Sequence, residues 1–124
     1  MKINKNKFKF IKTIINNIII KNINIKIYYT NKKINNLFDF FIICEGNSSL
    51  HISSLYNNIK KCIFIKYKIL PSNIEGIKNN KWILIDYNFI IINIFLKKIR
   101  KYYKIDNLFS KFPIICNKNF LKIK

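Results

Sequence analysis

Lys81 to Phe109 reads KWILIDYNFIIINIFLKKIRKYYKIDNLF. Within it, Trp82 to Tyr87 and Phe89 to Phe95 are runs of β-branched and aromatic residues, and only the Tyr87-Asn88 region between them suits a turn. This pattern predicts a β-hairpin, with Asn88 at its tip because asparagine tolerates a positive φ better than its neighbours do. Beyond Leu96 the period changes. Ile99, Tyr102 and Tyr103 fall at helical spacing with lysine and arginine between them, which predicts a short helix directly after the second strand.

The rest of the chain supplies partners for that hairpin. Phe8, Ile11, Ile15 and Ile18, with Ile14 and Ile19 beside them, predict an amphipathic first helix packed on a sheet. Lys12, Asn16 and Asn17 interrupt its apolar run and no small-residue cleavage site follows, so neither export nor a membrane span is expected. Ile23, Ile25, Ile27 and Tyr29 alternate with polar residues as in a half-exposed strand. Thr30 to Asn36 reads as a loop. Phe38 to Cys44 (FDFFIIC) is continuous enough for a strand buried on both faces. Gly46-Asn47-Ser48-Ser49 then opens a helix capped by Asn47 or Ser48, whose apolar face is Ile52, Leu55, Tyr56, Ile59 and Ile63. Phe64 to Leu70 is expected to be the next strand, stopped by Pro71. The reading is an α/β fold of a single domain over residues 1–109, a mixed five-stranded sheet flanked by helices. A basic C-terminal tail, residues 110–124, follows, either loosely packed through Phe112, Ile114 and Ile115 or disordered.

The chain has 124 residues, half of them hydrophobic, and a formal net charge of +19. Such a charge invites a nucleic-acid reading. However, Ala, Val and Gln are absent while Ile, Lys and Asn dominate, and Arg100 is the sole arginine. Codons rich in A and T account for that skew more readily than selection for phosphate contacts, which favours the bidentate fork of arginine. Cys44, Cys62 and Cys116 are widely spaced with only His51 as a companion. That pattern supports neither zinc nor a disulfide framework and fits reduced cysteines in a cytoplasmic protein.

Two segments resemble the ribosomal silencing factor (Iojap) family. The hairpin and helix are similar to its W-[VI]-L-[LI]-D-Y segment and the helix that follows, through Trp82, Leu84, Asp86, Tyr87, Phe95, Arg100, Tyr102 and Tyr103. FDFFIICEGNSS is similar to its D-[YF]-F-[VI]-I-C-[ST]-G-N-S segment, through Asp39, Phe41, Ile43, Cys44, Gly46, Asn47 and Ser48. Ile74-Glu75-Gly76 resembles the family's V-E-G, where a missing Cβ lets the backbone bend. The resemblance runs from about Phe8 to Phe109 and implies a nucleotidyltransferase-like fold.

That fold elsewhere hosts enzymes, and phosphoryl transfer needs closely spaced carboxylates for two metal ions. The five acids, Asp39, Glu45, Glu75, Asp86 and Asp106, are scattered singly. No metal, cofactor or catalytic site is expected. His51 has no neighbouring acid in sequence, and Cys44 at the end of an apolar run is expected to stay a protonated thiol.

The resemblance therefore implies a binding protein. By that resemblance it is expected to dock on the large ribosomal subunit, against a ribosomal protein at the intersubunit face with rRNA nearby, and to block small-subunit joining sterically. Trp82, Asp86, Tyr87, Arg100 and Tyr103 are the expected partner-binding residues. For Trp82 a core position is as well supported as an interface one, and Asp86 also suits a turn former. One of Tyr102 and Tyr103 is expected to face the sheet and the other a partner. Where the family often carries Glu after the last strand, Lys97 and Lys98 stand here, so an acidic contact patch is lost or reversed. The alternative is a basic RNA-binding module or assembly factor without silencing activity, marked by steep salt dependence. Monomer and homodimer both stay open.

Overall fold

The longest apolar runs became the two central strands of one sheet. In the computed structural model, which describes residues 5–19, 24–29, 40–79, 81–110 and 114–115, β2 (Phe40–Gly46) lies parallel to β5 (Ile90–Leu96), in register from Phe40 opposite Ile90 to Gly46 opposite Leu96. Parallel neighbours must be covered on both faces, and every residue from Ile90 to Phe95 is buried. The predicted hairpin is present: β4 (Trp82–Asp86) runs antiparallel to β5, and Asn88 at its tip has φ 74°. The sheet is completed by β1 (Lys26–Tyr29) against β2 and β3 (Asn73–Glu75) against β4. The tail adds β6 (Ile114–Ile115) beside β1, so the mixed sheet gains a short sixth strand in the order β3-β4-β5-β2-β1-β6.

The inner face of the sheet meets two helices. Phe10, Ile11, Ile14 and Ile15 of α1 (Lys5–Ile19) pack with Ile52, Leu55, Tyr56, Ile59 and Ile63 of α2 (Ser49–Tyr67) over Ile42, Cys44, Ile85, Ile92 and Ile94. Each such side chain contributes roughly 1.5–3 kcal/mol on leaving water. The outer face is covered in part. Ile99, Ile105 and Phe109, from α3 (Lys97–Tyr102), α4 (Ile105–Leu108) and the residue after it, lie on Tyr28, Ile43 and Phe95.

Three expectations are corrected. Phe64 to Leu70 is not a strand, because α2 continues through Tyr67. Ile52, Ile59, Ile63 and half-buried Tyr67 form one continuous stripe, while Phe64 and Ile65, whose β-preference suggested a strand, stay exposed. Lys68 then stops the helix with a left-handed φ of 59° and its N–H on the Phe64 carbonyl. β1 is not half-exposed, since Tyr28 is only 1% exposed beneath Phe109. The predicted last helix is two short ones, broken at Lys104 with φ 49°. The side chains of Phe8, Ile18 and Ile19, and residues Ile23, Thr30 to Asn36, Phe38, Asp39, Phe112 and Cys116, lie outside the described residues.

The two glycines occupy positions of different stringency. At Gly76, φ is +88° and a Cβ would stand 1.8 Å from the Trp82 carbonyl oxygen, so the approach to β4 excludes any side chain. At Gly46 a Cβ would meet side chains and not backbone, Ile52 Cγ1 at 2.9 Å and His51 Nδ1 at 3.2 Å, so buried Ile52 would have to shift to admit it. Gly76→Ala is expected to cost about 3 kcal/mol and Gly46→Ala markedly less, measured as the shift in urea midpoint.

Candidate functional site

Trp82 opens β4 on the outer face of the sheet, directly opposite Phe95. Its indole stacks on the Phe95 ring with centroids 5.0 Å apart and 22° between planes, and Nε1 donates to Asn93 Oδ1 at 2.8 Å. The ring is thus fixed on one side, yet it remains 48% exposed. An aromatic with one face packed, one face wet and its polar atom already satisfied loses little entropy when a partner covers it. Asn93 is fully buried, and among the described residues its Nδ2 has no hydrogen-bond partner.

Beside this face, α3 and α4 are pinned by a buried guanidinium. Arg100 Nε and Nη2 donate to the Asp106 carboxylate at 2.8 and 3.0 Å, while Nη1 donates to the Asn24 carbonyl at 2.6 Å and to Glu45 Oε1 at 3.0 Å. Lys26 Nζ reaches Asp106 Oδ2 at 2.7 Å. Burial works against the Arg100 charge, but Asp106 and Glu45 outweigh it and push its pKa up. Hydrogen bonds from Arg100 hold the Asp106 carboxyl down at about 2, against the raising effect of partial burial and with help from Lys26.

The same helix pair presents apolar surface outward. Tyr102 and Tyr103 are 78% and 61% exposed, with rings 4.9 Å apart at 83°. The expectation that one of them faces the sheet is corrected: Ile99, Ile105 and Phe109 occupy the sheet-facing positions. Tyr103 is the residue at which α3 ends.

Of the five residues singled out in the sequence, Trp82 and Tyr103 are exposed and Asp86 is half-buried. Asp86 Oδ1 accepts the Asn88 N–H at 2.7 Å, as a turn former does. Tyr87 and Arg100 are 4% and 5% exposed. The Tyr87 ring stands edge-on to Phe10 at 5.1 Å on the inner face. Sequence reasoning missed Asn93 and Asp106 as the groups that orient Trp82 and Arg100. Asp106 sits six positions after the sole arginine, which could have flagged the pair.

The segment that joins β2 to α2 is structural. Ser48 Oγ accepts the His51 N–H at 3.1 Å, and His51 Nδ1 accepts the Asn47 N–H at 3.1 Å, a reciprocal cap. Burial pushes the Cys44 thiol up to about 12, and its Sγ points at the Asn93 carbonyl, 3.6 Å away. A thiol so placed is protonated at neutral pH and is a poor nucleophile. Among the described residues no group of three or more His, Cys, Asp or Glu side chains could hold a metal ion, and no helix is long and apolar enough to cross a membrane.

Comparison with known proteins agrees with the resemblance and extends it. The family model described as "Ribosomal silencing factor during starvation" matches residues 15–123, and so reaches into the tail. The ribosomal silencing factor RsfS of Halalkalibacterium halodurans is 31% identical over 84 residues, 68% of this chain and 71% of that protein. RsfS of Bacillus subtilis is 29% identical over 76 residues, 61% of this chain and 64% of that protein. A crystal structure of a Bacillus halodurans protein is similar over 91% of this chain and 99% of that one, with TM-score 0.71 and 26% identity.

The Asp106 carboxyl is the titrating handle on the helix pair. Its folded pKa lies below the ordinary unfolded value, so its contribution is present above about pH 4 and is lost as pH falls toward about 2. Allowing for its partial exposure, about 1–2 kcal/mol is expected to disappear across that window. Urea unfolding at pH 5 and pH 2 should show that loss in the wild type, and Asp106→Asn, already destabilised at pH 5, should lack this component.

Proposed function

The chain belongs to the ribosomal silencing factor family, and from that premise we propose that it docks on the large ribosomal subunit and sterically blocks small-subunit joining. The observation that supports this most is the half-exposed indole of Trp82, locked against Phe95 and Asn93. Interface energy concentrates in a few preorganised aromatic and arginine anchors, and a fixed tryptophan is the strongest type. Tyr102, Tyr103 and Leu108, 78%, 61% and 68% exposed, extend the apolar surface on the helix pair.

In this reading Trp82 and Tyr103 touch the partner, and Asp86 borders the contact. Tyr87 and Arg100 act indirectly, Tyr87 by anchoring the end of β4 in the core and Arg100 by holding α3 and α4 on the sheet. Blocking needs no bound group and no chemical step, only a rigid body with enough contact area at the intersubunit face. Lys97 and Lys98 make the neighbouring surface basic. The cognate ribosomal protein is therefore expected to be less basic at the contact, since like charges facing one another lower affinity.

Co-sedimentation with isolated large and small subunits at moderate salt tests the proposal. The wild type should pellet with large subunits alone and should inhibit their joining. Trp82→Ala and Tyr103→Ala should each weaken binding by roughly tenfold or more. Tyr103 is exposed, so its variant should fold as the wild type does. Trp82→Phe keeps the ring stack and should recover part of the affinity. Equal pelleting with both subunits, unaffected by these changes, would remove the proposal.

A further inference from the structure

The shoulder formed by α3 and α4 carries positive charge that the fold does not neutralise. Lys97, Lys98, Lys101 and Lys104 all lie exposed within eight consecutive residues. The acids nearby, Glu45 and Asp106, are engaged by Arg100 and Lys26, and among the described residues these four lysines form no ion pair. Their spacing is costly for the helix. Lys97 and Lys101 stand four apart, and Lys98 and Lys101 three apart, where like charges repel. Lys97 and Lys98 also occupy the first turn, where the helix dipole favours acids, and α3 has neither an acid there nor a side-chain cap. With only six residues, α3 has little intrinsic stability to offset this. A bound polyanion would relieve each of these penalties at once.

The shape of the shoulder suits a nucleic-acid strand. An open cleft of about 330 Å³ lies beside the helices; Arg100, Glu45 and Asp106, paired with one another, form its floor with Asn24, and Lys97, Lys101, Lys104 and Asn107 form the rest of its walls. Tyr102 and Tyr103 are set at right angles beside it and largely exposed, so a flat ring can stack on them.

We propose that this shoulder grips the ribose-phosphate backbone of an unpaired RNA segment, with Lys97, Lys101 and Lys104 neutralising phosphates and the tyrosine pair stacking a base. The inference rests on the ribosome-docking reading, because it places an RNA contact beside the Trp82 surface. It assigns the shoulder, Tyr103 included, to RNA of the subunit and leaves the Trp82 surface to protein.

The test measures binding of the full chain to a labelled oligouridine across a range of salt concentrations. For single strands the logarithmic salt slope is about 0.7 per neutralised phosphate, so Lys97→Gln/Lys101→Gln/Lys104→Gln should flatten it by about two. A control triple on other exposed lysines, Lys9→Gln/Lys61→Gln/Lys78→Gln, should change it far less. Tyr102→Ala/Tyr103→Ala should weaken binding roughly tenfold with little change of slope. Equal flattening by both triples would overturn the proposal in favour of diffuse charge. Shoulder-dependent binding to phosphatidylserine vesicles with none to RNA would overturn it in favour of a membrane surface. Failure of subunit co-sedimentation with the RNA result intact would remove the docking reading and leave this one standing.

Discussion

The outer half of the molecule depends on one buried cation. Arg100 is 5% exposed and reaches three segments far apart in sequence, through the Asn24 carbonyl, Glu45 and the Asp106 carboxylate. Burying a guanidinium is unfavourable unless each donor finds an acceptor, and here the planar fork satisfies two carboxylates and a carbonyl together. Lysine could not do this, because its ammonium is a point charge without the fork. Deleting Arg100 would leave Glu45 without the guanidinium and Asp106 with Lys26 alone, and would free α3 and α4 from the sheet. The cation thus joins α3 and α4 to the entry of β1 and the end of β2. It decides which part of the outer face is roofed and which part is left to Trp82.

That division separates stability from recognition. The inner face, with its isoleucine layers against α1 and α2, provides most of the apolar burial. The outer face carries a smaller cluster of Tyr28, Ile43 and Phe95 beneath the helix pair, and beside it the stacked indole. Trp82, held from behind by Phe95 and Asn93 and open in front, stands on this side. A chain rich in isoleucine and lysine can keep such an arrangement, because isoleucine fills the core and lysine tolerates the surface.

Much of this architecture was legible in the sequence. The hairpin could be read because Asn88 stands between two runs whose period is unambiguous, and its left-handed φ follows from the turn. The cap on α2 could be read because Ser48 follows the glycine that ends β2. The misreadings have physical causes. At Phe64 and Ile65, β-preference competed with the helical stripe of Ile59, Ile63 and Tyr67, and tertiary packing of the stripe won. At Tyr102 and Tyr103 the helix period suggested one buried ring, but the left-handed Lys104 starts a second helix and hands the sheet-facing positions to Ile105 and Phe109. For the candidate site, the motif residues were legible but their orientations were not. Whether Trp82, Tyr87 or Arg100 faces outward is decided by partners distant in sequence, namely Asn93, Phe10 and Glu45.

The order of the strands bears on self-association as well. A run such as Ile90 to Phe95 has the β-propensity and low charge that promote cross-β stacking when its backbone is left unpaired. Here it lies between two neighbours, and among the described residues the sheet's borders fall to the three residues of β3 and the two of β6. Borders that short give an incoming chain few hydrogen bonds to extend, a recognised defence against aggregation. The longest isoleucine run of the chain thus stands inside the sheet, and among the described residues only Ile74 of β3 and Ile114–Ile115 of β6 bring isoleucine to a border.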